Sequence, residues 1–183
     1  MSKPNIFISG GAQGIGCGIA EYFAAKGWEV GIYDVDLVSA EKLAQKLNQQ
    51  YGAQTARAGG LDVREAGSWQ EALAEFCRHG TLHALVNNAG ILSLGDFANI
   101  PLDKHRALIE VNIQGVMQGS YLAHPYLKKA GQACLVNLSS ASAIYGQPQL
   151  AVYSASKFFV AGLSEALDLE WEKDQIRVRS IWP

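Results

Sequence analysis

The sequence predicts a doubly wound parallel α/β sheet, on three observations. Short runs of β-forming residues alternate with longer helical segments from one end of the chain to the other. Several of the short runs are almost continuously apolar, as strands covered by helices on both faces must be. Glycine stands at four returns from helix to strand, Gly27, Gly52, Gly80 and Gly131, the places where a helix ends in the left-handed conformation. Six strands follow: Asn5–Ser9, Glu29–Tyr33, Gln54–Ala58, Leu82–Val86, Ala133–Leu138 and Ile176–Ile181. Between them lie helices over about Gly14–Lys26, Val38–Tyr51, Ser68–Arg78, Leu102–Lys129 and Val152–Lys173. Right-handed crossovers then give three layers, α/β/α. No linker divides residues 1–183, so one domain is expected.

Composition narrows the function classes. The 183 residues are 49% hydrophobic and 17% charged, with a net charge of −2. A domain of this size hides roughly 70% of its unfolded surface. The mildly acidic balance offers no footprint for nucleic acid or an anionic membrane surface. No apolar run reaches the ~18 residues that span a bilayer. The chain enters its first strand almost at once from Met1, which predicts no signal peptide. Cys17, Cys77 and Cys134 are odd in number and widely spaced, which implies neither a disulfide framework nor a zinc site. A reducing cytoplasmic setting is expected. His79, His83, His105 and His124 are scattered without ligand spacing, so no metal is expected. Cys17, Trp28 and Trp69 read as packing residues.

Ligands of a doubly wound sheet bind at the carboxyl ends of its strands. After the first strand comes Gly10-Gly11-Ala12-Gln13-Gly14-Ile15-Gly16. Its spacing is G-x-x-x-G-x-G, not G-x-G-x-x-G, but the physics is shared. Small residues let the backbone turn sharply and approach a pyrophosphate, and the next helix presents free N–H groups and its positive end. A tight turn with no ligand is the plainer reading of the loop alone. Asp34 ends the second strand about 20 residues further on, where an acid accepts from the adenosine ribose and repels a 2′-phosphate. Gly11, Ala12, Gln13 and Val35 supply no compensating cation. The expected cofactor is therefore NAD rather than NADP.

A second set of motifs sits after later strands. Asp62-Val63 follows the third, Asn87-Asn88-Ala89-Gly90 the fourth and Ser139-Ser140 the fifth. Asn112 lies inside the long helix, and Tyr153-Ser154-Ala155-Ser156-Lys157 opens the last one, thirteen residues after Ser140. Over essentially its whole length the chain resembles the short-chain dehydrogenase/reductase family in its single-domain Rossmann form. The resemblance implies that the glycine loop (Gly10, Gln13, Gly14, Ile15, Gly16), Asp34, Asp62, Val63, Asn88, Ala89, Gly90, Tyr153 and Lys157 bind the cofactor. It implies a catalytic set of Asn112, Ser140, Tyr153 and Lys157. Lys157 would also hold the nicotinamide ribose, and Asn112 would fix a water linking Lys157 to solvent.

The residue types make chemical sense unaided. Tyr153 and Lys157 are i and i+4 on one helix face. A free phenol, with a pKa of about 10, is a poor base near neutrality. An adjacent ammonium favours the phenolate, which can then take or return an alcohol proton. Ser140 can donate to the substrate oxygen. An alcohol or ketone is the expected substrate. A dinucleotide-binding protein impaired in catalysis is the alternative. A sugar-nucleotide epimerase or dehydratase, which can share Tyr-x-x-x-Lys, fits the glycine spacing less well and would bring a large C-terminal domain.

Two further expectations complete the reading. Members of the resembled family continue past the equivalent of Ile181-Trp182-Pro183 into a substrate lid, a helix and a last strand, so the chain is expected to lack these. The last helix carries two apolar stripes, Val152, Ala155, Phe159 and Leu163, and Phe158, Ala161 and Leu169 beside Gly162. The long helix has a surplus in Ile109, Ile113, Val116 and Met117. One stripe suffices to dock a helix on a sheet. A homodimer through helices 102–129 and 152–173 is expected, as the resemblance also implies.

Overall fold

The computed structural model describes residues 3–183. Met1 and Ser2, and that part of the expectation about a signal peptide, lie outside the described residues. Strands β1 (Asn5–Ser9), β2 (Glu29–Asp34) and β3 (Ala56–Gly60) alternate with helices α1 (Gly14–Ala25), α2 (Leu37–Tyr51) and α3 (Ala66–Phe76). Then come β4 (Ala84–Asn87), α4 (Leu102–Ile109), a π-helical segment (Glu110–Gly115), α5 (Val116–Lys129), β5 (Ala133–Leu138), α6 (Ala151–Glu170) and β6 (Ile176–Ile181).

The sheet order is β3-β2-β1-β4-β5-β6, and every neighbouring pair is parallel. The chain steps outward from β1 to β3, returns past β1 to β4 and steps outward again. The reversal lies between β1 and β4, where helices on opposite faces leave a crevice beyond the strand ends. The expected doubly wound, three-layer Rossmann sheet is therefore the observed one.

Apolar side chains alternate between two cores. On one face Ile6, Ile8, Val30 and Ile32 meet Ala20 and Ala24 of α1 and Leu43 and Leu47 of α2. On the other, Phe7, Tyr33, Leu85 and Leu135 meet Trp69 and Phe76 of α3 and Leu127 of α5. Phe7 and Tyr33 stack at 4.3 Å between ring centroids. All of β1 is buried, whereas β6 alternates, with Arg177 and Arg179 exposed. Asp168 on α6 accepts from the Val178 amide and pairs with Arg179, so that β6 is tied to its own helix.

Four expectations need correction. The third strand is displaced by two residues: Gln54 sits in a turn at φ 67° and Gly59 and Gly60 belong to the strand. Gly59 is there because the Tyr33 ring lies where its Cβ would be. The fourth strand starts at Ala84, not Leu82. The long helix is not one α-helix, since its middle is π-helical. The last helix ends at Glu170, and a 3₁₀ turn, Glu172–Asp174, replaces its final residues. The stripes of α6 are also reassigned. Its buried face is Ser154, Ser156, Lys157, Val160, Ala161 and Ser164, so Ala161 points inward, while Ala155, Phe158, Gly162 and Leu169 are exposed.

That polar inner face is satisfied by partners. Asn87 and Asn137 are register neighbours on β4 and β5, and the Asn87 amide donates to Asn137 Oδ1 at 2.8 Å. Asn137 donates to Ser164 of α6 at 2.9 Å and Asn87 to Ser120 of α5 at 3.2 Å. Both helices are thereby indexed to the two strands whose ends carry the site. The Asn87 Nδ2 is paired in this way, whereas its buried Oδ1 has no hydrogen-bond partner.

Candidate active site

The glycine loop leaves β1 and turns under the end of β4. Gly10 has φ 63°, and a Cβ there would lie 2.8 Å from Ala89 Cα. Gly16 is buried against the Gly10 carbonyl, and a Cβ there would also come within 2.7 Å of Asn88 Nδ2. Gly16 therefore packs α1 onto the loop and does not face the cleft. Gly14 has φ 54° with nothing near its missing Cβ, which leaves the start of α1 open to a ligand's approach. No side chain caps α1 and no acid occupies its first turn, so its free N–H groups and positive end are available to an anion.

The loop after β4 clamps this turn. Asn88 Nδ2 donates to Gly10 O at 2.7 Å and to Ser9 O at 3.2 Å. Ser9 Oγ accepts from the Asn88 and Ala89 amides. Beyond it lies a cleft of about 450 Å³ lined by Gly10, Gln13, Ile15, Asp34, Asp62, Val63, Asn88, Ala89 and Gly90 among the expected residues. Val35, Leu61, Arg64, Ile91 and Val111 line it as well. Arg64 and Val111 each adjoin a motif residue, which was the available signal for them.

Asp34 is nearly buried, and its carboxylate accepts from the Ala12 and Asp36 amides, both at 3.0 Å. It fixes the glycine loop against β2 as well as lining the cleft. Arg64 is a cation in the cleft wall, but Asp62 occupies it: Nε lies 2.9 Å from Oδ1 and Nη2 2.5 Å from Oδ2. This pairing holds the Asp62 carboxyl below its ordinary range. Gln118 of α5 supports the Arg64 carbonyl at 3.0 Å.

A second cavity, about 200 Å³, continues from the first and shares Ile15, Asn88, Gly90 and Ile91 with it. Ser140, Tyr153 and Lys157 line it together, with Leu92 and Pro183. Ser140 caps a short 3₁₀ turn after β5, its Oγ accepting from the Ser142 amide at 3.2 Å. Tyr153 and Lys157 occupy successive turns of α6, and the Lys157 Nζ lies 5.6 Å from the Tyr153 ring centroid. Nζ also donates to the Leu138 carbonyl at 2.7 Å. Lys157 is 6% exposed, and burial pushes its pKa down to about 8. A buried ammonium is costly, so a carbonyl partner and a neighbouring phenol are what sustain its charge.

Asn112 does not open into either cavity. It is buried in the π-helical segment and clamps Ile91, accepting from its amide at 2.8 Å and donating to its carbonyl at 2.9 Å. It stands behind Gly90, whose missing Cβ would lie 3.4 Å from Asn112 Oδ1 and 3.7 Å from Lys157 Nζ. Gly90 thus keeps a narrow gap between Asn112 and Lys157. Among the described residues no group of three or more His, Cys, Asp or Glu could hold a metal ion, and no helix is long and apolar enough to cross a membrane.

Such a site, a phosphate-ready glycine turn joined to a Ser, Tyr and Lys pocket at the switch point of a doubly wound sheet, defines a nicotinamide-dinucleotide oxidoreductase fold. The sequence profile of the short chain dehydrogenases matches residues 4–183, and the chain belongs to that family. It is 36% identical over 181 residues to trans-4-hydroxycyclohexanecarboxylate dehydrogenase of Sinomonas cyclohexanicum, covering 96% of this chain and 70% of that protein. It is 34% identical over 177 residues to a 3-alpha-(or 20-beta)-hydroxysteroid dehydrogenase of Mycobacterium tuberculosis, covering 96% and 66%. Sorbitol-6-phosphate 2-dehydrogenase of Erwinia amylovora superposes with TM-score 0.92 at 25% identity, over 97% of this chain and 70% of that one. A 3-ketoacyl-(acyl-carrier-protein) reductase of Brucella melitensis, solved with NADH, gives 0.89 at 28%, over 98% and 74%. The chain thus spans about two thirds of the length of these proteins.

Proposed function

We propose that this chain is an NAD(H)-dependent oxidoreductase that interconverts an alcohol and its ketone, with Tyr153 as acid/base. The observation that carries the reading is that Ser140, Tyr153 and Lys157 line one pocket that runs into the dinucleotide cleft. The cleft fits the cofactor on its own terms: an open turn at Gly14, an uncapped α1 and a carboxylate at the end of β2. The nicotinamide, when bound, supplies or accepts the hydride. Tyr153 moves the proton at the reacting oxygen, and Ser140 donates a hydrogen bond to that oxygen. The Lys157 ammonium favours the phenolate of Tyr153. Asn112 holds the Ile91 main chain, and so Gly90, at the lip of the pocket.

NAD is favoured over NADP because Asp34 lines the cleft at the end of β2 and the cation in that lining, Arg64, is engaged by Asp62. A cationic partner for a 2′-phosphate is therefore missing. A homodimer through α5 and α6 is proposed as well. Met117, Tyr121, Phe158 and Leu169 leave apolar surface on these helices, and Met117 and Tyr121 line a groove with Pro125, Leu167 and Trp171. The test of function is to incubate the chain with NAD and a panel of secondary alcohols and follow NADH absorbance. Turnover that Tyr153→Phe abolishes is expected. NAD binding without turnover of any alcohol would leave only the cofactor part of the reading standing.

A further inference from the structure

The pocket that Ser140, Tyr153 and Lys157 line is mostly uncharged. Two loops frame the pocket, residues 88–101 after β4 and 139–150 after β5, and the Gly95 amide joins them by donating to Gln149 O at 3.0 Å. Of their apolar side chains Ile91 and Leu92 line the pocket, with Ile15 of α1, Leu138 and Pro183, whereas Leu94, Ile144 and Tyr145 stand exposed outside that lining. Asp96 is the single charged side chain in the two loops. The only cation lining the pocket is Lys157, and its ammonium is already directed at Leu138 O and Tyr153.

We infer that the substrate is an uncharged secondary alcohol, or its ketone, with hydrocarbon on both sides of the reacting carbon. This rests on the dehydrogenase reading above. A phosphate or carboxylate drawn into such walls would lose water and meet one cation, Lys157, that Leu138 O and Tyr153 already engage. A hydrocarbon substituent would cover Ile15, Ile91 and Leu92, all partly exposed in the lining, and gain by removing them from water. Ser93, Gln147 and Gln149 leave neutral polar groups at the rim, so a hydroxylated substrate is the closest competitor and the one the experiment must separate. The solved and curated relatives do not make the choice, because their own names span a steroid, a carboxylate, a polyol and a sugar phosphate.

The test uses one ring with three substituents: cyclohexanone carrying a methyl, a hydroxyl or a carboxylate at the para position. Each is offered to the NADH-bound chain, with two readouts. One is NADH oxidation; the other, independent of turnover, is the change in bound NADH fluorescence as the ketone binds. The methyl ketone is expected to bind and react best, ahead of the carboxylate by on the order of ten- to a hundredfold. Leu92→Arg should narrow or reverse that ratio by adding a cation to the wall. A carboxylate or hydroxyl ketone that matches the methyl compound would overturn the inference. So would NADH binding with no ketone binding. Failure to bind NADH would instead overturn the dinucleotide reading, and the inference with it.

Discussion

The Lys157 ammonium donates to the Leu138 carbonyl at 2.7 Å, which anchors the turn of α6 that carries Tyr153 to the end of β5. Burial lowers this amine's pKa to about 8 from an ordinary value of 10.5. The unfolded chain therefore holds the proton more tightly, and below about pH 8 the charged, buried lysine is a penalty on folding. The penalty is relieved as pH rises from about 8 towards 10.5. Lys157→Met removes the group, so the stability of the parent minus that of the variant should climb over this window. The climb should be at most about 3 kcal/mol, from ~1.4 kcal/mol per pKa unit. Denaturant melts of both proteins at several pH values measure it, and a flat difference would show that Lys157 titrates normally.

Tyr153→Phe keeps the ring beside Lys157 and removes only the hydroxyl. Turnover should fall on the order of 10²–10⁴-fold, while the dissociation constant for NADH stays close to that of the parent. Near-parent turnover would show that another group handles the proton.

Asp34 has two duties, and variants should separate them. Asp34→Ala removes the acceptor for the Ala12 and Asp36 amides, so affinity for both NAD and NADP should drop as the glycine loop loosens. Asp34→Asn combined with Val35→Arg keeps an acceptor, drops the like charge and adds a cation. It should shift preference towards NADP by roughly tenfold or more, each tenfold step being about 1.4 kcal/mol. Equal affinities for the two cofactors in the parent would refute the proposed selectivity.

Gly119 leaves no room for a methyl group. A Cβ there would run into Asn87 Oδ1 and come within 2.6 Å of the Trp69 ring. Gly119→Ala should destabilise the fold by about 1–3 kcal/mol through overpacking, despite alanine's better helix propensity. Thermal unfolding of the variant tests this, and an unchanged or higher midpoint would mean that α5 can shift off β4.

The dimer proposal is tested by mass. Light scattering at micromolar concentration should give twice the mass of the 183-residue chain. Phe158→Glu, which places a charge on the exposed face of α6, should lower it. A monomer in the parent would argue that the apolar surface of α5 and α6 has another use.

Strand order and the site's outline were legible because both follow from local pattern. Apolar runs and the turns between them located all six strands to within two residues at each end, and the motif residues gather at the strand ends that the topology brings together. What was missed depends on partners distant in sequence. Gly59 reads as a turn residue, yet it lies in a strand because the Tyr33 ring needs the space. The inner face of α6 is half serine, invisible to an apolar periodicity but matched by Asn137 beneath it. Arg64 follows the Asp62-Val63 motif without being part of it, and only the fold shows it forked on Asp62 in the wall of the cleft.

The π-helical segment Glu110–Gly115 puts one wider turn in the middle of the rod from Leu102 to Lys129. Closing its turns from i to i+5 uses one residue more than an α-helix would, and one residue is about 100° of rotation. Upstream of the segment, His105 and Leu108 are set inward; downstream, Val116, Gly119 and Ala123 are. At 100° per residue all five positions fall on one face, so the two halves of the rod share an inward side. Asn112 sits in the wider turn between them, where it reaches the Ile91 main chain. Deleting one residue anywhere between 110 and 115 would restore an unbroken helix. The cost would fall on Asn112, whose clamp on Ile91 is built on that wider turn.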